Sequence, residues 1–245
     1  MSIGRRLMTA GGSQQGDPYF SNVMSLLPLT GADGSGIITD IRGHTWTREG
    51  SPLPTISTAQ GEFGSSLKLN GLSQGISTPT NTVFNFGSGD WTVEASIPLT
   101  GYSANYGGYY QACIVNKDAY GGRELIINLL GTASSWTHFG VYGFQAETVY
   151  VSLVAPFPFA LNTTYRLRVC RSGNTAYLFV NGTLVASGSF AGTLQATTTP
   201  LAVGTNNYVG SRYFLPGYIW GVRITKGVAR STASYVPSAT PFPTS

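Results

Sequence analysis

The sequence predicts an all-β fold, two antiparallel sheets packed as a sandwich, and three observations carry that reading. Short runs alternate apolar and polar residues. In "WTVEASI", Trp91, Val93, Ala95 and Ile97 share one face, while Thr92, Glu94 and Ser96 share the other. In "YRLRVCR", Tyr165, Leu167 and Val169 oppose Arg166, Arg168 and Cys170. A period of two suits sheets buried on one face. Next, "TAYLFVNGTLVASG" sets Asn181-Gly182 between two apolar-rich runs. That is the chemistry of a two-residue hairpin turn, whose central residues both need positive φ. Finally, Gly or Pro interrupts nearly every long window, and no stretch carries a helical stripe.

Taken in order, residues 1–16 read as an arm: Arg5 and Arg6, then "GGSQQG", with no periodicity. Such arms become ordered when a neighbour holds them. Residues 17–245 read as a single domain. Its first predicted strands are Val23–Leu29, Thr45–Arg48, Ser65–Asn70, Trp91–Leu99 and Gln111–Asn116. They continue with Glu124–Leu130, His138–Phe144, Thr148–Val154, Thr164–Arg171, the hairpin around Asn181-Gly182, Leu201–Gly204 and Gly217–Thr225. Each run is rich in β-branched or aromatic residues and bounded by turn formers. A Pro-rich tail with Pro237, Pro241 and Pro243 closes the chain.

Composition narrows the class. Only 10% of the 245 residues are charged, against ~25% in an ordinary soluble domain. Low charge gives little colloidal repulsion, which favours a surface covered by neighbours and a homo-oligomer. The net charge is +4, with 11 of the 14 basic residues Arg. That is too weak a bias to predict a nucleic-acid partner. No apolar stretch is long enough to span a membrane or serve as a signal segment, so neither a membrane partner nor export is expected. The sequons at Asn162 and Asn181 then read as turn chemistry. Cys113 and Cys170 show no metal spacing; spacing alone does not pair them, and both read as buried thiols.

The ordered blocks "DPYFSNVMSLLPLTGADG", "GSSLKLNG", "ISTP", "DWTVEASI" and "TTYRLRVCRSGNTAYLFVNGTLVASGS" resemble laminin-G-like, concanavalin A-like jelly rolls. The closing block "GYIWGVRITKGVARSTASYVPSATPFP" looks like the versions found in tailed-bacteriophage virion proteins. The resemblance runs from Asp17 to Pro243. It implies a jelly-roll sandwich and, in many members, a calcium site with Asp at the positions matching Asn70, Asn181 and the Trp220-Gly221 pair. Here those positions hold amides, an indole and a glycine. With five Asp and five Glu in the chain and none clustered, no metal or other cofactor is expected.

The fold also includes glucanases, whose catalytic acids share one face of one strand. A retaining glycosidase needs two carboxyl groups about 5 Å apart, and Glu94 stands alone on its strand, as do Glu124 and Glu147 elsewhere. Gly71-Leu72-Ser73-Gln74-Gly75 matches a G-x-S-x-G elbow, but that motif works on a strand-to-helix turn, and strand-like "ISTPT" follows it. His44 and His138 share no metal spacing. No catalytic residue is assigned.

Three surfaces are left for binding. The segment 101–122 carries Tyr102, Tyr106, Tyr109, Tyr110 and Tyr120, amphipathic side chains suited to a protein interface, to packing on their own sheet, or to stacking on sugars, in that order. Arg166 and Arg168, with Arg223 a third candidate, form a second surface that, if outward-facing, pairs with carboxylates of a neighbour or else stays solvated. The third is the arm, with Arg5 and Arg6 docking on an adjacent subunit. With the phage resemblance, these features predict a non-enzymatic virion protein, assembled in the host cytoplasm and decorating capsid or tail through contacts with their subunits. The alternative is a carbohydrate- or receptor-binding adhesin module of a phage tail or fibre, contacting a host surface glycan.

Overall fold

The computed structural model describes residues 16–103, 108–207 and 213–245. Arg5, Arg6, most of the proposed arm and Tyr106 lie outside the described residues. Fifteen strands and a single 3₁₀ turn, Phe20–Asn22, occur among the described residues. The strands are β1 (Val23–Leu27), β2 (Thr47–Glu49), β3 (Thr55–Ser57), β4 (Ser66–Asn70), β5 (Gly75–Ser77), β6 (Trp91–Leu99), β7 (Tyr110–Lys117) and β8 (Leu125–Thr132). They continue with β9 (Ser135–Gln145), β10 (Thr148–Phe159), β11 (Thr163–Ser172), β12 (Thr175–Val180), β13 (Thr183–Ser189), β14 (Ala202–Val203) and β15 (Pro216–Lys226). No helix of the described residues is long and apolar enough to cross a membrane.

Every pairing is antiparallel. One eight-stranded sheet runs β13-β12-β11-β6-β15-β4-β3, with β1 also on β15. The other, of seven strands, runs β10-β9-β8-β7-β14-β5-β2. The inward residues predicted by alternation do meet in the core: Trp91, Val93, Ala95, Ile97, Leu167 and Val169 face Ala112, Leu125, Ile127, Leu129, Phe139 and Val141. Each such aliphatic side chain contributes about 1.5–3 kcal/mol on burial. Trp91 packs edge-on between Phe86 at 5.3 Å and Phe190 at 6.2 Å. The Asn181-Gly182 turn has both residues at positive φ, 51° and 81°, as the hairpin chemistry requires. Both cysteines are buried thiols.

Two readings need correction. The alternation in β6 marks Thr92, Glu94 and Ser96 as an outer row, yet all nine β6 residues are buried. The cause is the chain after β15, which turns at Gly227 and runs back across the eight-stranded sheet. Arg230 N–H bonds to Thr92 Oγ1 at 2.9 Å, and Tyr235 N–H bonds to the Gly182 carbonyl at 2.8 Å. The predicted end of β10 at Val154 is five residues short. Pro156 and Pro158 continue the strand because β10 lies at the sheet edge, where a missing N–H leaves no partner unsatisfied.

Candidate functional site

The sandwich has two outer faces, and each carries a cavity. On the eight-stranded sheet, β6, β11 and β15 bring Glu94, Arg168 and Arg223 side by side. Glu94 is 4% exposed. Its carboxylate accepts from Arg168 at 2.6 Å and Arg223 at 2.7 Å, with Arg230 at 3.8 Å. Asp17 joins from the start of the described chain, 2.9 Å from Arg223 and 2.7 Å from Arg230. The tail roofs this network: the Tyr235 ring lies 3.6 Å from the Arg168 guanidinium carbon, and the Phe242 ring 4.0 Å from that of Arg223. Phe242 also stacks on Trp220 at 5.9 Å.

The two predicted arginines are therefore occupied within the chain. Arg168 is held by Glu94 beneath Tyr235, and Arg166 by Glu62 at 2.5 Å. The carboxylate partners predicted to come from a neighbour are intramolecular, because β6 and the loop before β4 supply them.

Asp17 and Glu94 converge on Arg223 and Arg230 in a cavity of about 330 Å³, so their chemistry bears on catalysis. Burial pushes both carboxyls up, but the guanidiniums together outweigh it and hold both below the ordinary range. A glycosidase acid must stay protonated; these two stay ionised and locked. Glu124 differs: burial raises its carboxyl, against the opposing pull of backbone N–H groups and Lys117. It accepts from Phe86 N–H at 2.5 Å and sits 3.5 Å from the buried Lys117 ammonium, pinning the 85–87 loop. Ser73 lies in the turn between β4 and β5 with its hydroxyl directed to the Ser51 carbonyl; the structure behind it is a strand. His138 bonds to Thr137 at 2.8 Å and His44 packs on Phe84 at 4.8 Å. Among the described residues no three His, Cys, Asp or Glu side chains gather as a metal site would need. Asn70 instead caps its turn, accepting from Leu72 and Ser73 N–H at 2.9 Å each, and Asn181 ties the hairpin tip to β11 by accepting from Arg166 N–H at 2.9 Å.

The outer face of the seven-stranded sheet is different in kind. β7, β8 and β9 carry Gln111, Asn128 and Tyr142 to the floor of a trough of about 580 Å³. Tyr109, Val149, Asn206 and Tyr213 line it with them. In the ladder Asn128 sits opposite Gly140. A Cβ on Gly140 would stand in van der Waals contact with Asn128 Oδ1, at 3.6 Å, so the glycine sets no side chain over that buried oxygen. Asn128 Nδ2 donates to Gln111 Oε1 at 2.7 Å. Its Oδ1 accepts from none of the described residues, although Asn128 is 1% exposed. A buried acceptor left without a donor costs about 1–3 kcal/mol, and among the buried orphan atoms Asn128 Oδ1 belongs to a residue lining this trough.

The charged groups beside this amide pair are committed. Arg123 binds Asp118 at 2.7 Å and lies 4.0 Å from the Phe144 ring centroid. Asp118 also accepts from Asn206 at 3.2 Å. Glu147 accepts from the Gly121 and Arg123 amides at 3.1 Å each. Burial raises the phenols of Tyr142 and Tyr213, so both keep their hydroxyl protons at neutral pH.

The structure divides the predicted tyrosines. Tyr109, 64% exposed, forms part of the trough wall. Tyr102 packs against Trp136 at 6.1 Å and Tyr110 against the core. Tyr120 is 82% exposed in the turn after β7. Gln111, Asn128, Tyr142 and Tyr213 were not singled out from sequence. The one available signal was Asn128, a lone amide inside the apolar run "LIINLLG".

A two-sheet antiparallel sandwich with a trough on the outside of one sheet defines a jelly-roll module of the concanavalin A-like type. The chain belongs to the concanavalin A-like lectin/glucanases superfamily, whose sequence profile matches residues 70–233. No curated protein matches the sequence. Among solved structures the fold is similar to domain 4 of an extracellular arabinanase from Geobacillus stearothermophilus, in complex with arabinotriose. That likeness has a TM-score of 0.59 at 16% identity and covers 85% of this chain and 94% of that one. It is also similar to the binding domain of Paraclostridial Mosquitocidal Protein 1, with TM-score 0.64, 14% identity and 87% of this chain covered. A third is tailspike protein 2 of an Escherichia coli O157:H7 bacteriophage, with TM-score 0.51, 13% identity and 74% covered. The chain spans 50% of the mosquitocidal binding-domain structure and 25% of the tailspike.

Proposed function

We propose that this protein is a carbohydrate-binding module that takes its ligand in the trough on the seven-stranded sheet. One observation carries the reading: the buried, unpartnered Asn128 Oδ1 at the floor of a trough walled by tyrosines. Sugars present hydroxyls for amides and C–H faces for aromatic rings, and buried polar groups need partners. The fold likeness to an arabinanase domain solved with arabinotriose supports this choice of ligand class.

The test is a glycan array followed by calorimetry on the purified chain. Saturable glycan binding is expected, weakened about tenfold by Tyr109→Ala, roughly the value of one aromatic contact. Tyr109 is exposed, so the variant keeps its fold. Absence of saturable binding to any glycan removes the reading.

A second reading, that the module works as a virion component of a tailed phage, is favoured by the closing block "GYIWGVRITKGVAR" and by the low charge. It places the trough outward and residues 1–16 against neighbouring subunits. Deleting residues 1–16 then abolishes incorporation into particles while leaving the melting temperature unchanged; normal incorporation of the truncated chain rejects it.

A further inference from the structure

We infer that the trough selects neutral glycans, recognising a sugar hydroxyl through the Asn128–Gln111 amide pair and discriminating against sialylated or uronic chains. The inference rests on the carbohydrate-binding reading and adds the substrate class. Asn128 offers an acceptor, and donating Nδ2 to Gln111 Oε1 leaves the Gln111 amide nitrogen as the neighbouring donor. A hydroxyl donates and accepts at once, so one sugar hydroxyl completes the pair. A carboxylate accepts only and would set its oxygen against Asn128 Oδ1.

Charge points the same way. Recognition of a sugar acid calls for an arginine fork presented to the ligand. The trough's Arg123 has its Nε on Asp118 at 2.7 Å and its plane against Phe144. Glu147 is held beside it by the Gly121 and Arg123 amides, so these charged groups among the described residues are bonded within the chain. Among the described residues, an incoming carboxylate meets an acceptor that cannot donate to it and a guanidinium already held by Asp118. Gly140 completes the geometry, since a side chain there would press on Tyr142 and Val154, 3.2 and 3.3 Å from its Cβ, and set a carbon in contact with the Asn128 oxygen at 3.6 Å.

The experiment titrates the full chain with arabinotriose, maltotriose and lactose on one side, and sialyllactose and trigalacturonate on the other. At least one neutral sugar is expected to bind ten times or more tighter than either acid. Asn128→Leu, close in shape, is expected to lower that affinity at least tenfold while the melting temperature holds or rises, because a buried orphan acceptor has gone. Should Asn128→Leu fail to fold, Gly140→Ala serves instead: it adds one methyl over the amide and lowers affinity at least threefold. Equal or tighter binding of the acids overturns the neutral class and leaves the carbohydrate reading standing. Unchanged affinity in the folded Asn128→Leu or Gly140→Ala variant overturns the amide pair as the recognition element. No binding of any sugar removes the reading beneath both.

Discussion

Glu94→Gln is expected to lower the unfolding free energy by about 3–5 kcal/mol, the cost of removing one partner from a buried ion cluster. The carboxylate stands within salt-bridge distance of Arg168, Arg223 and Arg230, beneath a tail that leaves it 4% exposed. A neutral amide leaves three guanidiniums facing one another with only Asp17 to balance them. The same cluster sets a pH dependence. Burial pushes the Glu94 carboxyl up, yet Arg223 and Arg168 more than reverse it, and Asp17 is likewise held low by Arg230. A depressed folded value means the stabilisation is present above the ordinary carboxylate range and is lost as pH falls through the folded values. Urea melts across pH 7 to 2 should therefore fall steeply for the natural chain and less steeply for Glu94→Gln. A loss below 1 kcal/mol at pH 7 with an unchanged acid slope would show that the cluster does not hold the sheet.

Removing residues 234–245 is expected to cost on the order of 3 kcal/mol, the value of withdrawing the Tyr235 and Phe242 rings from apolar and cationic contacts. It also changes the character of what remains. Once the roof is gone, the Arg168, Arg223, Glu94 and Asp17 pairs meet water, where such pairs are worth little and are screened by salt. The truncated chain should lose stability between 0.05 and 0.5 M salt, over which the Debye length shortens roughly threefold, whereas the full chain should not. Alkali gives an independent readout. Burial pushes the Tyr235 phenol up from 10.0 to about 12, so the docked tail is fully stabilising below pH 10 and weakens as pH rises through about 12. Tyr235→Phe removes that alkaline slope. A truncated chain as stable as the full one, with no new salt dependence, would mean the tail merely rests on the sheet.

Much of the scaffold was readable because the signals are local. The alternation of "WTVEASI" and "YRLRVCR" follows from the pleat, which turns successive side chains to opposite faces. Asn181-Gly182 announces its turn because few residues take positive φ without strain. Poor legibility began where a residue's role depends on a distant partner. Arg168 looks like an outward charge until the strand register sets it beside Glu94, 74 residues away.

Local periodicity and turn chemistry thus determined the sandwich, its inward residues and the hairpin, since each depends on neighbours within a few positions. Tertiary structure alone decided which outer face is covered and which is open. Glu94 and Arg223 meet across 129 residues under a returning tail, and Asn128 has its buried, unpartnered acceptor on the trough floor only because β7 supplies Gln111 to its amide nitrogen and β9 supplies a glycine opposite. No window of sequence contains those pairs, because they are made by strand register.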